Sequence, residues 1–584
     1  MSEMKTRWTD EVDFNCPLNE YPRPQLVRND WQNLNGIFEY AITEIQNEIP
    51  TVFDGEIIVP FAIESYLSGV EKTLTANNLL WYRKKFRLDS CFEGKRTILH
   101  FGAVDWRSKV YINGNCVGTH QGGYTPFSFD ITDCLNDSEN ELVVQVYDPT
   151  DDNWQDRGKQ VHESKGFWYT STSGIWQTVW LEPVNETHIE KLKITPDIDT
   201  AEINIETFVN SDKPILRAII KDEDTIIFAG EIQSEAKIKI KEMKLWSPEE
   251  PFLYDVVIAL CDDNGKIVDA VSSYFGMRKY SIGLDYNNIP RLYLNNKPYF
   301  QKGLLDQGYW PDGGLTPPTD EAMKFDIKAM KELGFNMLRK HIKVEPHRWY
   351  YHCDKIGMIV WQDMVSGAKK IDTFVVGVLP NIFIRSIPDN KYKLFGVDDK
   401  KCREEHEREM YNTIDNLYNF PCIGCWVTFN ESWGQFDAKR IGEEVKAYDS
   451  TRIVDHASGW HDQKGPELKS IHQYVIPFFM PKADGRPIVL SEFGGYSRII
   501  ENHVWNREKS FGYVMYKTKD SLSKAYKKLF EKQIISKIPK GLCATVYTQV
   551  SDVEFEVNGM FTYDREILKI DADTVKEINS KLKY

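Results

Sequence analysis

From about residue 300 the chain repeats one unit: a short apolar, β-branched run, a polar end, then a helical stretch. FQKGLL is followed by DEAMKFDIKAMKELG, where Ala322, Phe325, Ala329 and Leu333 recur at helical spacing and Gly334 stops the helix. NMLRKHI, MIVWQDM, IGCWVTF, RIVDHAS, SIHQY, PIVLSEF and LCATVYTQ supply the further strand-like runs. Strands separated by helices return in the same direction, so they pair in parallel and are covered by their crossovers. Eight such units in about 300 residues predict a closed (β/α)8 TIM barrel, which we place over residues 277–584.

The chain upstream has a different rhythm. LLWYRKKFRL, RTILHFGAV, SKVYINGNCVG, ELVVQVYD and IWQTVWLEPV are short apolar runs separated by turns, and Asn113-Gly114 is a two-residue hairpin signal. They predict a jelly-roll β-sandwich over 1–184. KLKITPDI, AEINIETFV, ILRAIIKD, KIKIKEM and FLYDVVIAL predict an immunoglobulin-like β-sandwich of about seven strands over 185–276. The expected protein is multidomain: two β-sandwiches followed by a barrel.

Charge and composition narrow the partners. The net charge is −15 and no basic patch stands out, which argues against nucleic acid. No run of ~18 apolar residues exists, which argues against a membrane span. The N-terminal stretch MSEMKTRWTDEVDF has no apolar core of a leader, so a cytoplasmic protein is expected. The ten cysteines are scattered and read as free thiols. Cys422-Ile-Gly-Cys425 is a CxxC, but it lies inside a buried run with no second pair, so we read it as structural. No metal and no other cofactor is expected. A homo-oligomer is left open.

In a barrel of this kind the chemistry sits at the C-terminal strand ends. Those ends carry Asp306, then Arg339 with His341, then Asp363, then Asn430 with Glu431, then His472 with Tyr474, then Glu492. Glu431 and Glu492 are carboxylates on well-separated strands, each followed shortly by an aromatic residue and a glycine. Cleaving a glycosidic bond needs such a pair, one protonated to release the leaving oxygen and one ionised to attack or to activate water. The alternative is that each merely caps a helix or pairs with an arginine.

FNESWG and VLSEFGG together resemble glycoside hydrolase family 2. LLWYRKKF, HFGAVDWRSKVYINGNCVGTHQGGYTPFSFDIT and WYTSTSGIWQTVWLE resemble its sugar-binding domain, LWSPEEPFLYDV its immunoglobulin-like domain, and FNMLRKHIKVEP, VWQDM and YTQVSDVEFEVNGMFTYDR its barrel. The resemblance implies a retaining exo-glycosidase with a carbohydrate substrate. It implies Glu431 as acid/base, Glu492 as nucleophile, Asn430 on the sugar's 2-hydroxyl, and Arg339 and Tyr474 beside the nucleophile. It places His341 and Asp306 facing the sugar and Trp433, His503 and Trp505 around the pocket; Asp363, at its own strand end, is a further substrate-binding candidate.

The sugar itself is harder to read. The family's glucuronidases carry an Asn-x-Lys element, and Asn558-Gly559-Met560 lacks the lysine. The galactosidases and glucuronidases place an aspartate before the Gly174-Ile175 stretch, where this chain has Trp168. Asp306, Asp312 or Asp363 are candidates for the lost acceptor, and Lys340 and Lys343 keep an acidic sugar open. The expectation is β-galactosidase, with β-glucuronidase, β-galacturonidase, β-mannosidase and arabinosidase activities as alternatives. A non-catalytic carbohydrate-binding protein or a glycosyltransfer enzyme are the competing classes. The segment 365–398, containing FVVGVLPNIFI, is expected to wall the pocket or form an interface.

Overall fold

The computed structural model describes residues 4–46, 48–369, 386–474 and 476–584. The segment FVVGVLPNIFI lies outside the described residues, so the expectation for it stays where the sequence left it.

The barrel forms because eight apolar runs close side by side. Its strands are β1 (Gln301–Asp306), β2 (Met337–Lys340), β3 (Ile359–Asp363), β4 (Ile423–Val427), β5 (Ile453–Asp455), β6 (Lys469–Gln473), β7 (Ile488–Gly494) and β8 (Leu542–Thr548). They lie in the order β5-β4-β3-β2-β1-β8-β7-β6, and every ladder between neighbours is parallel. β3, β4, β7 and β8 are buried at every residue, as expected when both faces of a parallel sheet are covered.

The helices are α1 (Asp320–Glu332), α2 (His347–Ile356), α3 (Lys400–Leu417), α4 (Ala438–Tyr448), α5 (Lys519–Leu529) and α6 (Ala572–Lys581). α1 starts where the Thr319 side chain accepts from Ala322 N, and its chain turns away at Gly334 with φ 88°. Among the described residues the connections after β5 and β6 contain no α-helix.

The first sandwich pairs a six-stranded antiparallel sheet with a four-stranded one. Leu80, Tyr82, Val144 and Leu181 fill the space between them. Its hairpin 107–112/115–121 turns through Asn113 at φ 50° and Gly114 at φ 80°, the left-handed pair that matches the twist of the flanking strands. The second sandwich has a three-stranded and a four-stranded sheet around Ile203, Ile205, Ile220, Val256 and Ile258. Cys422 and Cys425 are buried free thiols, and burial pushes both up, which suits packing rather than redox chemistry. No described helix is long and apolar enough to cross a membrane.

The first sandwich is tied to the barrel by polar contacts that leave no slack. Trp106 Nε1 donates to Glu405 Oε1 at 2.8 Å and Thr125 Oγ1 to Glu409 Oε2 at 2.7 Å, both on α3. Residues 155–170 then reach over the barrel mouth. Gly158 N donates to Ser366 O at 3.0 Å, Arg157 Nη1 to Ala368 O at 2.8 Å, and Tyr169 Oη to Glu556 Oε2 at 2.5 Å.

This packing buries carboxyls without cations. Glu64 accepts from Ser173 N at 2.9 Å. Burial, helped by the charge of Asp148, pushes its pKa up from the ordinary 4.5 to about 8. Unfolded, the group ionises near 4.5; folded, it holds its proton to about 8. Folding therefore takes up a proton across that window, and stability falls as pH rises through it. Glu64→Gln should shrink the loss of Tm between about pH 5 and about pH 8.5 in thermal melts. An equal loss in parent and variant would mean that Glu64 is not held protonated.

Candidate active site

Four strand ends converge on one guanidinium. Arg339, at the end of β2, is wholly buried. Its Nε and Nη2 donate to the two oxygens of Asp363 on β3 at 2.9 and 3.0 Å. Nη2 also donates to Asn430 Oδ1 beyond β4 at 2.7 Å, and Nη1 to Glu492 Oε1 on β7 at 3.1 Å. Burial opposes its charge, but the carboxylates of Asp363 and Glu492 outweigh that and hold it protonated. A planar fork with five donors can serve three acceptors in fixed directions, which an ammonium cannot.

The backbone is bent to present the two glutamates. Glu431 and Ser432 follow β4 with φ 44° and 70°, in the left-handed region that side chains rarely adopt. Glu431 N is held by Ser458 O at 2.9 Å. Such strain costs of order 1–3 kcal/mol and persists only where the surroundings enforce it. On β7 the ladder with β6 slips by one residue at Ser491, which brings Glu492 opposite His472. A bulge of this kind re-aims a side chain beside a site.

Glu431, His472 and Glu492 then lie together, with one ligand atom from each within 4.8 Å of the others. His472 Nδ1 is 2.6 Å from Glu431 Oε1 and 3.5 Å from Glu492 Oε2. Tyr474 Oη donates to Glu492 Oε2 and stacks on Tyr513 with centroids 4.0 Å apart. His341 Nδ1 is 2.8 Å from Asp363 Oδ2 and 3.8 Å from Glu492 Oε1. Among the described residues this trio is the one group of metal-ligating types so close together. Its atoms are already engaged with one another, and we assign no ion to it.

The two carboxyls differ in environment. Burial pushes Glu431 up to about 7, with the charge of Glu556 adding and Lys159 and Arg339 opposing. Burial also raises Glu492, and Glu431's charge adds, but His472, Arg339 and Lys159 oppose. Glu492 takes direct hydrogen bonds from Arg339 and Tyr474, whereas about a quarter of the Glu431 side chain (26%) is open to solvent. Protonating Glu431 removes its repulsion on Glu492, so the two carboxyls titrate as a coupled pair.

The remaining residues singled out in the sequence divide. Asn430, Arg339, His341, Asp363 and Tyr474 surround the carboxylate pair. Trp433 stands at the mouth edge-on to Trp168, centroids 5.0 Å apart, with the Arg157 guanidinium 5.2 Å over its ring. Asp306 instead accepts from Lys340 Nζ at 2.7 Å, beneath the mouth. Asp312 accepts from Thr6 and Thr9. Lys340 and Lys343 both pair with Glu345, at 2.8 and 2.9 Å. His503 bonds Asp564 at 2.6 Å and Trp505 packs on Tyr563.

Three residues near the pair carried no such reading in the sequence. His472 was legible as a strand-end residue, but only its neighbour Tyr474 stood out. Tyr513 lies in a loop without pattern. Lys159 comes from the sandwich loop, where RGKQVHESKGFW reads as ordinary polar turn. Its charge acts on Glu431, Glu492 and His341. Its Nζ lies 5.7 and 5.9 Å from the rings of Phe167 and Tyr169, and among the described residues it has no ion pair.

The chain is similar to known proteins over much of its length. Family models match in chain order: the glycosyl hydrolases family 2 sugar-binding domain at 59–183, the family 2 domain at 187–278 and the family 2 TIM barrel domain at 289–491. A β-galactosidase of Thermoanaerobacter pseudethanolicus is 28% identical over 446 residues, 72% of this chain and 54% of its own length. One from Priestia megaterium is 26% identical over 498 residues, 79% of this chain and 43% of its own. The chain thus spans about half the length of the curated relatives it matches. Among solved structures, β-D-glucuronidase of Dictyoglomus thermophilum superposes with TM-score 0.74 at 19% identity, covering 96% of this chain and 99% of that one; this likeness speaks for the fold. With three domain models matched in order over most of its length, the chain belongs to glycoside hydrolase family 2.

Proposed function

We propose that the chain is a retaining exo-glycosidase of terminal β-linked sugars, with Glu492 as nucleophile and Glu431 as acid/base. The observation that carries this reading is the closeness of the two carboxylates, whose nearest ligand atoms lie within 4.8 Å. Retaining enzymes hold the pair ~5–5.5 Å apart, whereas inverting ones leave ~6.5–9.5 Å for a water.

In the first step a Glu492 oxygen bonds to the anomeric carbon as the glycosidic bond breaks, and Glu431 gives its proton to the leaving oxygen. In the second, Glu431 takes a proton from water, the water oxygen bonds to the anomeric carbon, and Glu492 departs as a carboxylate. The raised pKa of Glu431, about 7, suits a group that must be an acid and then a base. Arg339 and Tyr474 donate to Glu492 and orient it, and the charge of Arg339 opposes the upward push of burial on its pKa. Asn430, fixed through its oxygen by Arg339, has its amide N–H group free of that bond and available to the sugar's 2-hydroxyl.

β-Galactosides are the first substrates to test, because relatives named β-galactosidase match much of the chain. An acidic sugar is the second reading, favoured by Lys159, which faces the carboxylate pair without an ion pair of its own among the described residues. A panel of aryl β-galactoside, β-glucuronide, β-galacturonide, β-mannoside and α-arabinoside separates them. On a uronide substrate Lys159→Met should raise KM by at least about tenfold, the loss of one charge-assisted contact; on a galactoside it should change KM little.

Glu492→Gln should abolish turnover of whichever glycoside the parent hydrolyses, and wild-type turnover would exclude Glu492 as nucleophile. Arg339→Lys should lower kcat/KM by roughly a hundredfold or more, since one ammonium cannot orient Asp363, Asn430 and Glu492 together. Retention of more than about a tenth of the parent's kcat/KM would mean that the fork geometry is dispensable. Because the acid form of Glu431 is required, kcat/KM should fall as pH rises through about 7. A profile flat to about pH 9 would contradict that assignment.

A further inference from the structure

His472 is a ring with both nitrogens engaged and one proton to place. Its side chain is wholly buried. Nε2 lies 2.8 Å from Ser458 Oγ and 3.3 Å from Arg339 Nη1. Arginine can only donate, and the Ser458 hydroxyl can rotate to donate as well, so both contacts are satisfied when Nε2 presents its lone pair. Burial, with Arg339 and Lys159 adding, lowers the ring's pKa to about 4 against the pull of Glu492 and Asp363, so the ring is neutral near pH 7. A neutral ring with its lone pair on Nε2 carries its proton on Nδ1. That proton faces Glu431 Oε1 at 2.6 Å.

We propose that His472 is a positioning residue that decides which oxygen of Glu431 does the chemistry: its Nδ1–H holds Oε1 as an acceptor and leaves Oε2 to carry the catalytic proton. The proposal rests on the reading of Glu431 as acid/base. In glycosylation the Oε2 proton passes to the glycosidic oxygen, which takes the electrons of the breaking bond while Glu492 bonds to the anomeric carbon. In deglycosylation Oε2 receives a proton from water. His472 keeps its own proton throughout.

The same bond tunes Glu431. A donor binds a carboxylate more strongly than a carboxylic acid, so Nδ1–H favours the ionised form and restrains the upward push of burial. Lys159 and Arg339 act in the same direction, and Glu492 and Glu556 oppose. His341 and Asp363 face the ring from β2 and β3. Ser458 Oγ, 3.0 Å from Ser491 Oγ, belongs to a hydroxyl cluster with Ser470 that closes the back of the ring.

The test compares His472→Ala, which removes the donor, with His472→Asn, whose amide N–H replaces it near Nδ1. Both are assayed for kcat/KM against pH on aryl glycosides with good and poor leaving groups. In His472→Ala the basic limb should move up by about one pH unit, the worth of a hydrogen bond to a charged group. Its loss in rate should be at least about tenfold on the poor leaving group and small on the good one. His472→Asn should restore both toward the parent. A basic limb unmoved in His472→Ala, or equal losses on both leaving groups, overturns the proposal and leaves His472 a packing residue. Glu431→Gln is run beside them: if it shows no dependence on leaving group, the reading of Glu431 itself fails. Should His472→Ala not fold, nitrogen-15 spectra of the parent with labelled histidine, assigned against His472→Asn, decide the matter. A proton on Nδ1 supports the proposal, and a proton on Nε2 overturns it.

Discussion

The site is organised by one buried cation. Arg339 joins β2 to β3 through Asp363, to β4 through Asn430 and to β7 through Glu492. A guanidinium so completely removed from water is tolerated only because anionic and polar acceptors surround it. Its charge, in turn, opposes the upward push that burial gives the pKa of Asp363 and of Glu492. Removing either partner leaves an unpaired buried charge, so the arrangement holds itself in place and fixes the spacing of strand ends that are far apart in the chain. His472, His341 and Tyr474 then settle how the protons lie around it.

The first sandwich is part of the same construction. Arg157 and Trp168 brace Trp433 from the loop that crosses the mouth, and Tyr169 bonds Glu556. Lys159, from that loop, adds a positive charge opposite the two glutamates. Trp168 of this loop packs on Trp433, while the acidic candidates Asp306 and Asp312 accept from Lys340 and from Thr6 and Thr9. Polar contacts to α3 and to Ser366 tie this loop and its sandwich to the barrel.

The sequence disclosed the barrel because its signal is local: each apolar run, each helix and each polar end can be read within about a dozen residues. The runs ending at Arg339, Asn430-Glu431 and Glu492 were legible for the same reason, as titratable residues abruptly ending buried strands. Lys159 was not legible, because its meaning comes from a loop that crosses between domains and leaves no periodic trace. His472 was visible, yet its importance depends on a one-residue slip at Ser491 that no pattern in VLSEFGG announces. His503 and Trp505 show the opposite case. Their residue types suit a sugar pocket, but the chain commits them to Asp564 and Tyr563.

The central claim is that Glu431 and Glu492 stand at the separation of a double displacement. The most direct measurement is the configuration of the sugar at the instant of release. Proton NMR of the anomeric signal is followed from the first minutes of hydrolysis of whichever aryl β-glycoside the protein turns over. The account predicts the β-anomer first, with the α-anomer growing in later by mutarotation. The α-anomer as first product would contradict it, for that outcome belongs to a single displacement by water between carboxylates held further apart.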